Sequence, residues 1–471
     1  MSNFDPPPGS GQPGWQEQPT QHQPSQQQQQ PGQPQQPGWQ QQPPQQPGWQ
    51  QQGLAGQSVQ STAKKAPVGR ILLGLALVAI LGVAGFAVFK AFSGSDGGAA
   101  SPAEAAENLV TSFENEDFLT IGESLAPNER EAMFEPSIDL LQELERLDIV
   151  DEGTSEDGVS GVEITLEGVD PRIEPVTDTI SWVTIDSGTV TITTNPAELP
   201  TGDLLEDDVA AGPVETEVTN FADEPIEFAV VEENGKWYLS LYYTAAEQIR
   251  RSAGESTLPN PDTAPEPVGA ASPEEVVTDM VAEMSDLDAE GVLTLMDPEE
   301  FQAAYDYSSL YLPEAQAELD SLRSDAEAND ASWTVDEVTT RSEERNGDTV
   351  VIVTNITFTA TSNGETVTIV WDGNCLTYSG DIEAESYCRQ DLLDELEPGD
   401  PVRSLLEVDY GFRVVEREGR WYMSGYSTLV GGYADGLGSL SPEQLEQLFG
   451  SGSDDVGGVG GLFDELDDIT I

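Results

Sequence analysis

The chain has 471 residues and a formal net charge of −69, with 87 Asp and Glu against 18 Lys and Arg. Such a field repels nucleic acid and other polyanions and attracts metal cations and basic proteins, which excludes a nucleic-acid-binding role. A solubility adaptation to a cation-rich medium accounts for the same charge, because the acids are spread along the chain after residue 90. With His22 the only histidine and only two cysteines present, the composition offers no Ser–His–Asp triad beyond the N-terminal tail and no cysteine-rich metal site.

Residues 1–63 are almost wholly Pro, Gln, Gly and Ser, and Pro-Gly-Trp-Gln recurs at Pro13–Gln16, Pro37–Gln40 and Pro47–Gln50. So few aliphatic residues cannot offset the entropy of ordering, which predicts a disordered tail with polyproline II character. Trp15, Trp39 and Trp49 read either as weak multivalent docking points for protein partners or as low-complexity drift.

Ile71–Phe89 then runs nineteen residues without a charge, a helix of about 28 Å and thus the length of a membrane span. Lys64, Lys65 and Arg70 precede it and only Lys90 follows. This predicts a juxtamembrane and transmembrane segment over 64–92, with a cytoplasmic N-terminus and extracellular C-terminal domains at the plasma membrane. A signal peptide would need a basic region some seventy residues long, and no Cys follows the run to carry a lipid. Under that topology Cys375 and Cys388 lie in an oxidising compartment and are expected to form a disulfide.

Beyond the spacer the chain repeats itself. Ser101-Pro102 followed by Ala106, Leu109, Val110 and Phe113 matches Ser272-Pro273 followed by Val276, Val277, Met280, Val281 and Met284, at an offset of 171. Each predicts a helix with a serine N-cap and proline in its first turn. Phe118–Leu125 and Val292–Met296 continue each copy, closed by Pro127 and Pro298. The ends match as well: Phe228-Ala-Val-Val-Glu-Glu-Asn-Gly-Lys-Trp-Tyr238 pairs with Phe412-Arg-Val-Val-Glu-Arg-Glu-Gly-Arg-Trp-Tyr422, each a predicted β-hairpin. Between these, Ile180–Thr184 with Thr189–Thr194, and Val350–Ala360 with Thr366–Trp371, read as further strand pairs. The expectation is an α+β fold in two tandem domains, 101–252 and 272–435, joined by a Pro-rich linker (253–271) and followed by an acidic Gly-rich tail (436–471).

Helices followed by a curved antiparallel sheet that ends in a strand–Gly–Lys/Arg–Trp–Tyr hairpin resemble the NTF2-like superfamily. The tail, span and paired ectodomains together look like envelope proteins of actinobacteria. The resemblance implies that helices cover one face of each sheet and form a cone that holds a ligand, hosts catalysis or dimerises. No catalytic residue of that family maps onto this chain, and an insertion around Cys375–Glu407 departs from the pattern.

Asp286, Asp288, Glu290, Gly291 and Asp297 fit a calcium loop superficially, but the first copy has Glu114-Asn-Glu116-Asp117 there and no glycine, so a polar turn between helices covers both. Trp237, Tyr238, Trp421 and Tyr422 alternate across strands, so one of each pair is expected in the core. Tyr242, Tyr243 and Tyr426 are read as extending those strands into the core. Glu206-Asp207-Asp208 and Glu395 with Glu397 read as solvated surface, because acid–base work needs two carboxyls held across a pocket. Leu462, Phe463, Leu466 and Ile469 near the end fall at helical spacing and read equally as a docking helix or as disorder. The function expected is a non-enzymatic, membrane-anchored scaffold or sensor of the cell envelope without cofactor, with protein partners for tail and ectodomain and oligomerisation left open. The alternative is an external enzyme or small-ligand carrier using the cone interior.

Overall fold

The computed structural model describes residues 97–114, 122–152, 154, 160–205 and 214–450, all within one compact unit. The tail with Trp15, Trp39 and Trp49, the apolar run Ile71–Phe89 and residues 451–471 lie outside the described residues. The expected transmembrane anchoring and plasma-membrane placement are corrected here: among the described residues no helix is long and apolar enough to cross a membrane. The described chain is mixed α and β, with every strand pairing antiparallel.

Both copies open on the same device. Ser101 caps α1 (Pro102–Glu114) by accepting from the Glu104 N–H at 3.2 Å, while the Glu104 carboxylate accepts from the Ala100 N–H at 2.9 Å. Ser272 caps α4 (Pro273–Ser285) in the same way, with Glu275 reaching back to the Ala271 N–H at 3.2 Å. These are reciprocal capping boxes, each satisfying two otherwise orphaned donors. Next in the first copy comes α2 (Pro127–Arg146) and in the second α5 (Ala289–Thr294), α6 (Gln302–Asp306) and α7 (Ser308–Ala328).

Among the described residues of the first copy seven strands follow: β1 (Val162–Glu167), β2 (Arg172–Pro175), β3 (Ile180–Ile185), β4 (Thr189–Thr194), β5 (Glu215–Asn220), β6 (Ile226–Glu233) and β7 (Lys236–Ser240). They divide into two sheets, β1-β4-β5 and β2-β3-β6-β7. Contrary to expectation, β3 and β4 are not partners of one another; they are consecutive pieces of one strand bent at Ser187-Gly188. The bend needs glycine: at Gly188 φ is +97°, and a Cβ would lie 2.7 Å from the Glu167 carbonyl oxygen. The second copy keeps these strands whole as β8 (Ala331–Arg345) and β9 (Asp348–Ser362), a hairpin with one bulge in each strand, at Asp336 and at Thr354, with β10 (Glu365–Trp371) beside β9. An insertion then adds β11 (Cys375–Gly380), β12 (Glu385–Cys388), α8 (Arg389–Glu395) and α9 (Pro401–Glu407) before the closing hairpin, β13 (Phe412–Arg417) and β14 (Arg420–Met423).

α1 packs Ala106 and Leu109 against Val183, Ile185, Phe228 and Val230, and α4 packs Val276, Val277 and Met280 against Val351, Val414 and Met423. One face of each sheet is thereby filled with side chains. After the hairpins come α3 (Leu241–Ser252) and α10 (Gly425–Gly438), then α11 (Pro442–Gly450). Leu440 and Leu445 are buried with Leu141, Leu144 and Leu147 of the first copy, so the chain beyond the second hairpin folds back onto α2.

Candidate functional site

The site grows from the way each copy closes. Ala99 bridges Trp237 and Leu125 bridges Leu239; in the second copy Ala270 bridges Trp421 and Met296 bridges Met423. Four residues past Leu125 and Met296, Glu129 and Glu300 are buried. Glu129 accepts from the Ser240 hydroxyl and from the N–H groups of Leu241 at 2.7 Å and Tyr242 at 3.2 Å. Glu300 accepts from the Ser424 hydroxyl at 2.8 Å and from the N–H groups of Gly425 at 3.1 Å and Tyr426 at 2.7 Å. A helix N-terminus presents unpaired N–H groups and a partial positive charge, so each carboxyl anchors the start of α3 or α10. Burial raises both carboxyls above the ordinary range, Glu129 to about 7, against the pull of these donors. Ser240 and Ser424 cap the helices themselves, which corrects the reading of Tyr242, Tyr243 and Tyr426 as strand residues: they sit in first helical turns.

Those closing helices join the copies reciprocally. α3 packs on α6, and α10 runs along α2, where the Ser137 and Tyr426 hydroxyls lie 2.8 Å apart. The first junction is an aromatic core of Trp182, Tyr243, Ala303 and Tyr307. Its polar edges are satisfied across the copies: the Tyr243 hydroxyl donates to Asp306 at 2.5 Å and the Tyr307 hydroxyl to Glu247 at 2.9 Å. Although burial opposes its charge, Glu247 is held below the usual carboxylate range by Arg250, Arg251 and Tyr307. At the second junction Arg417 spans the copies, reaching Glu131 at 3.0 Å and Asp297 at 3.2 Å.

Beside the aromatic core the first junction opens into a groove of about 560 Å³. α3 contributes Tyr242, Ala245, Ala246 and Ile249, and the second copy contributes Phe301, Ala304, Leu310 and Tyr311. Ile249 is 67 % exposed there, an apolar side chain with no cover among the described residues. Glu255 and Glu314 stand at the rim; the rim arginine, Arg250, is engaged by Glu247 and by the Glu255 carbonyl. The groove is thus apolar inside and acidic outside. Apolar grooves of this size with a few polar rim groups suit a helix or a small amphiphile.

Cys375 and Cys388 are bonded and face one another across β11 and β12. One of each pair is buried as expected, Tyr238 and Tyr422, but Trp237 and Trp421 are also packed, against the α1 and α4 cores, because both faces of the closing hairpins are covered. In the candidate calcium loop Asp288 caps α5 through the Gly291 N–H at 2.9 Å, and Arg323 takes the Asp286 carbonyl, so these residues form a helix–helix turn. Among the described residues no three His, Cys, Asp or Glu gather as a metal site. The junction groove was missed in the sequence: Tyr242, Ala245, Ala246 and Ile249 carry a helical stripe, yet the wall opposite them lies some sixty residues on, and no local pattern links the two. Comparison with known protein families, with curated proteins and with solved structures finds no match for this chain.

Proposed function

We propose that the chain is a non-enzymatic binding protein, a scaffold or sensor built from two NTF2-like copies, whose recognition site is the groove at their first junction. Its occupant in this reading is a basic amphipathic segment of a partner protein, with apolar side chains against Ile249, Phe301 and Tyr311 and cationic ones against Glu255 and Glu314. The observation that carries the reading is the position of the open space. The sheet faces under α1 and α4 are packed with side chains, while an uncovered apolar groove lies between the copies. The carboxyls with the strongest burial, Glu129, Glu247, Asp297 and Glu300, are each taken up by several donors of the fold, which favours a structural role over acid–base work. The NTF2-like reading rests on the order helices, bent antiparallel sheet and closing hairpin, present in both copies.

The test is titration with a synthetic Leu/Lys amphipathic helix, LKKLLKLLKKLLKL, followed by fluorescence anisotropy. Ala245 is exposed and lines the groove, so Ala245→Trp fills it without entering the core. The variant is expected to weaken binding at least about tenfold, the scale of one lost anchor contact. Leu392→Lys, at an exposed position on α8, should change it little. Equal binding by wild type and Ala245→Trp would remove the groove from the function.

A further inference from the structure

A second surface, independent of the groove, follows from comparing sheet edges. In the first copy β5 pairs with β4 and, among the described residues, with no other strand. Its counterpart β10 holds the same place beside β9 and is covered on its other edge by β11, over Val367–Trp371 against Leu376–Gly380. The insertion of the second copy therefore supplies in cis a strand with no counterpart among the described residues of the first copy. The edge left over is Glu215–Asn220, a run without proline, so every residue in it carries a backbone donor and an acceptor. Val214 and Val218 are 59 % and 63 % exposed on one side of the strand, and Glu215 and Glu217 are exposed on the other.

We propose that the free edge of β5 is a strand-addition site for an extended, basic segment of a partner protein. An added strand makes the ladder that β11 makes with β10, lays apolar side chains beside Val218 and sets Lys or Arg opposite Glu215 and Glu217. Cross-strand pairs of opposite charge stabilise such a pairing, and like charges oppose it. A second copy of this chain fits badly for that reason, since an antiparallel β5–β5 contact brings Glu215 and Glu217 against their own counterparts.

The probe is a labelled synthetic peptide, KVKVKVK, titrated into the full chain, together with the same peptide N-methylated at alternate backbone nitrogens. N-methylation keeps every side chain and charge but removes the ladder donors. Binding to the unmodified peptide is expected to be at least tenfold tighter than to the N-methylated one, with slowed amide exchange at Glu215–Asn220. Glu215→Lys with Glu217→Lys, both at exposed positions, should weaken it at least tenfold, while Ala245→Trp in the groove leaves it unchanged. Equal affinity for the two peptides reduces the attraction to bulk charge and overturns the proposal. So does exchange protection confined to α3 and α6, which would place the peptide in the groove instead.

Discussion

Where the first copy sets Trp182 opposite Ala229 on neighbouring strands, the second sets Val350 opposite Arg413, and all four side chains are buried. The bulk has moved from one strand to the other, and its chemistry has changed from an indole to a guanidinium. The helices above adapt in turn. α3 brings Glu247 and Arg251 over its copy's pair, with the Arg251 guanidinium 5.0 Å from the Trp182 ring. α10 brings Gly431 and Asp435: a Cβ at Gly431 would sit 2.1 Å from Arg413 Cζ, and Asp435 accepts from Arg413 at 3.1 Å, with Asp348 accepting at 2.9 Å. Close packing thus fixes the volume at a junction but leaves its polarity free, provided that each buried charge finds a partner.

The largest effect is expected from breaking the buried charge cluster around Arg413 within the second copy. Arg413→Ala leaves Asp348 without its cation and Asp435 with Arg345 alone, and urea denaturation should show a loss of about 3–5 kcal/mol. Arg413→Ala combined with Asp435→Ala should cost less than the sum of the two single changes, because the pair is removed together. Additive costs would show that the contact carries no coupling and that the comparison with Trp182 is one of volume alone.

A smaller loss should follow from opening the edge that distinguishes the second copy. The disulfide closes a separation of 13 residues, a constraint of about 3 kcal/mol on the chain-entropy account. Cys375→Ala with Cys388→Ala should loosen β11 and β12 first, so amide exchange along Glu365–Trp371 should quicken toward that of β5 while β9 stays protected. Uniform loss of protection through both copies would mean that the hairpin supports the whole fold and not one edge.

The least effect concerns the anchoring carboxyls. Glu129 titrates near 7 in the folded chain against an ordinary value of 4.5, so the folded state holds the proton more tightly than the unfolded one. Stability contributed by this group is therefore fully present below about 4.5 and lost as pH rises through about 7, a change of about 1–3 kcal/mol. Glu129→Gln should flatten the pH dependence of the urea midpoint between pH 4.5 and 7. Glu300, raised in the same direction by burial, should leave a residual slope that Glu300→Gln removes. A wild-type midpoint that rises over this interval would show that the helix donors outweigh burial.

The sequence by itself determined the elements whose signals are local. Ser-Pro with a glutamate in the first turn specifies α1 and α4, and Asn234-Gly235 and Asn363-Gly364 take the positive φ that a tight hairpin needs. The two matching helix starts were legible because Ser-Pro and a glutamate three residues after the serine recur on the same caps, and the pairing of Cys375 with Cys388 followed from there being only two cysteines. Tertiary structure alone decided what depends on distant partners. Ser187-Gly188 has the composition of a hairpin turn, and it bends a strand instead because β1 and β2 pair with the two halves. Tyr242 and Tyr243 follow a strand in sequence and turn into a helix because Ser240 and the distant Glu129 satisfy its first N–H groups. The groove exists only because α3 of one copy meets α6 and α7 of the other, and burial between separated segments leaves no periodicity that a single stretch of chain can display.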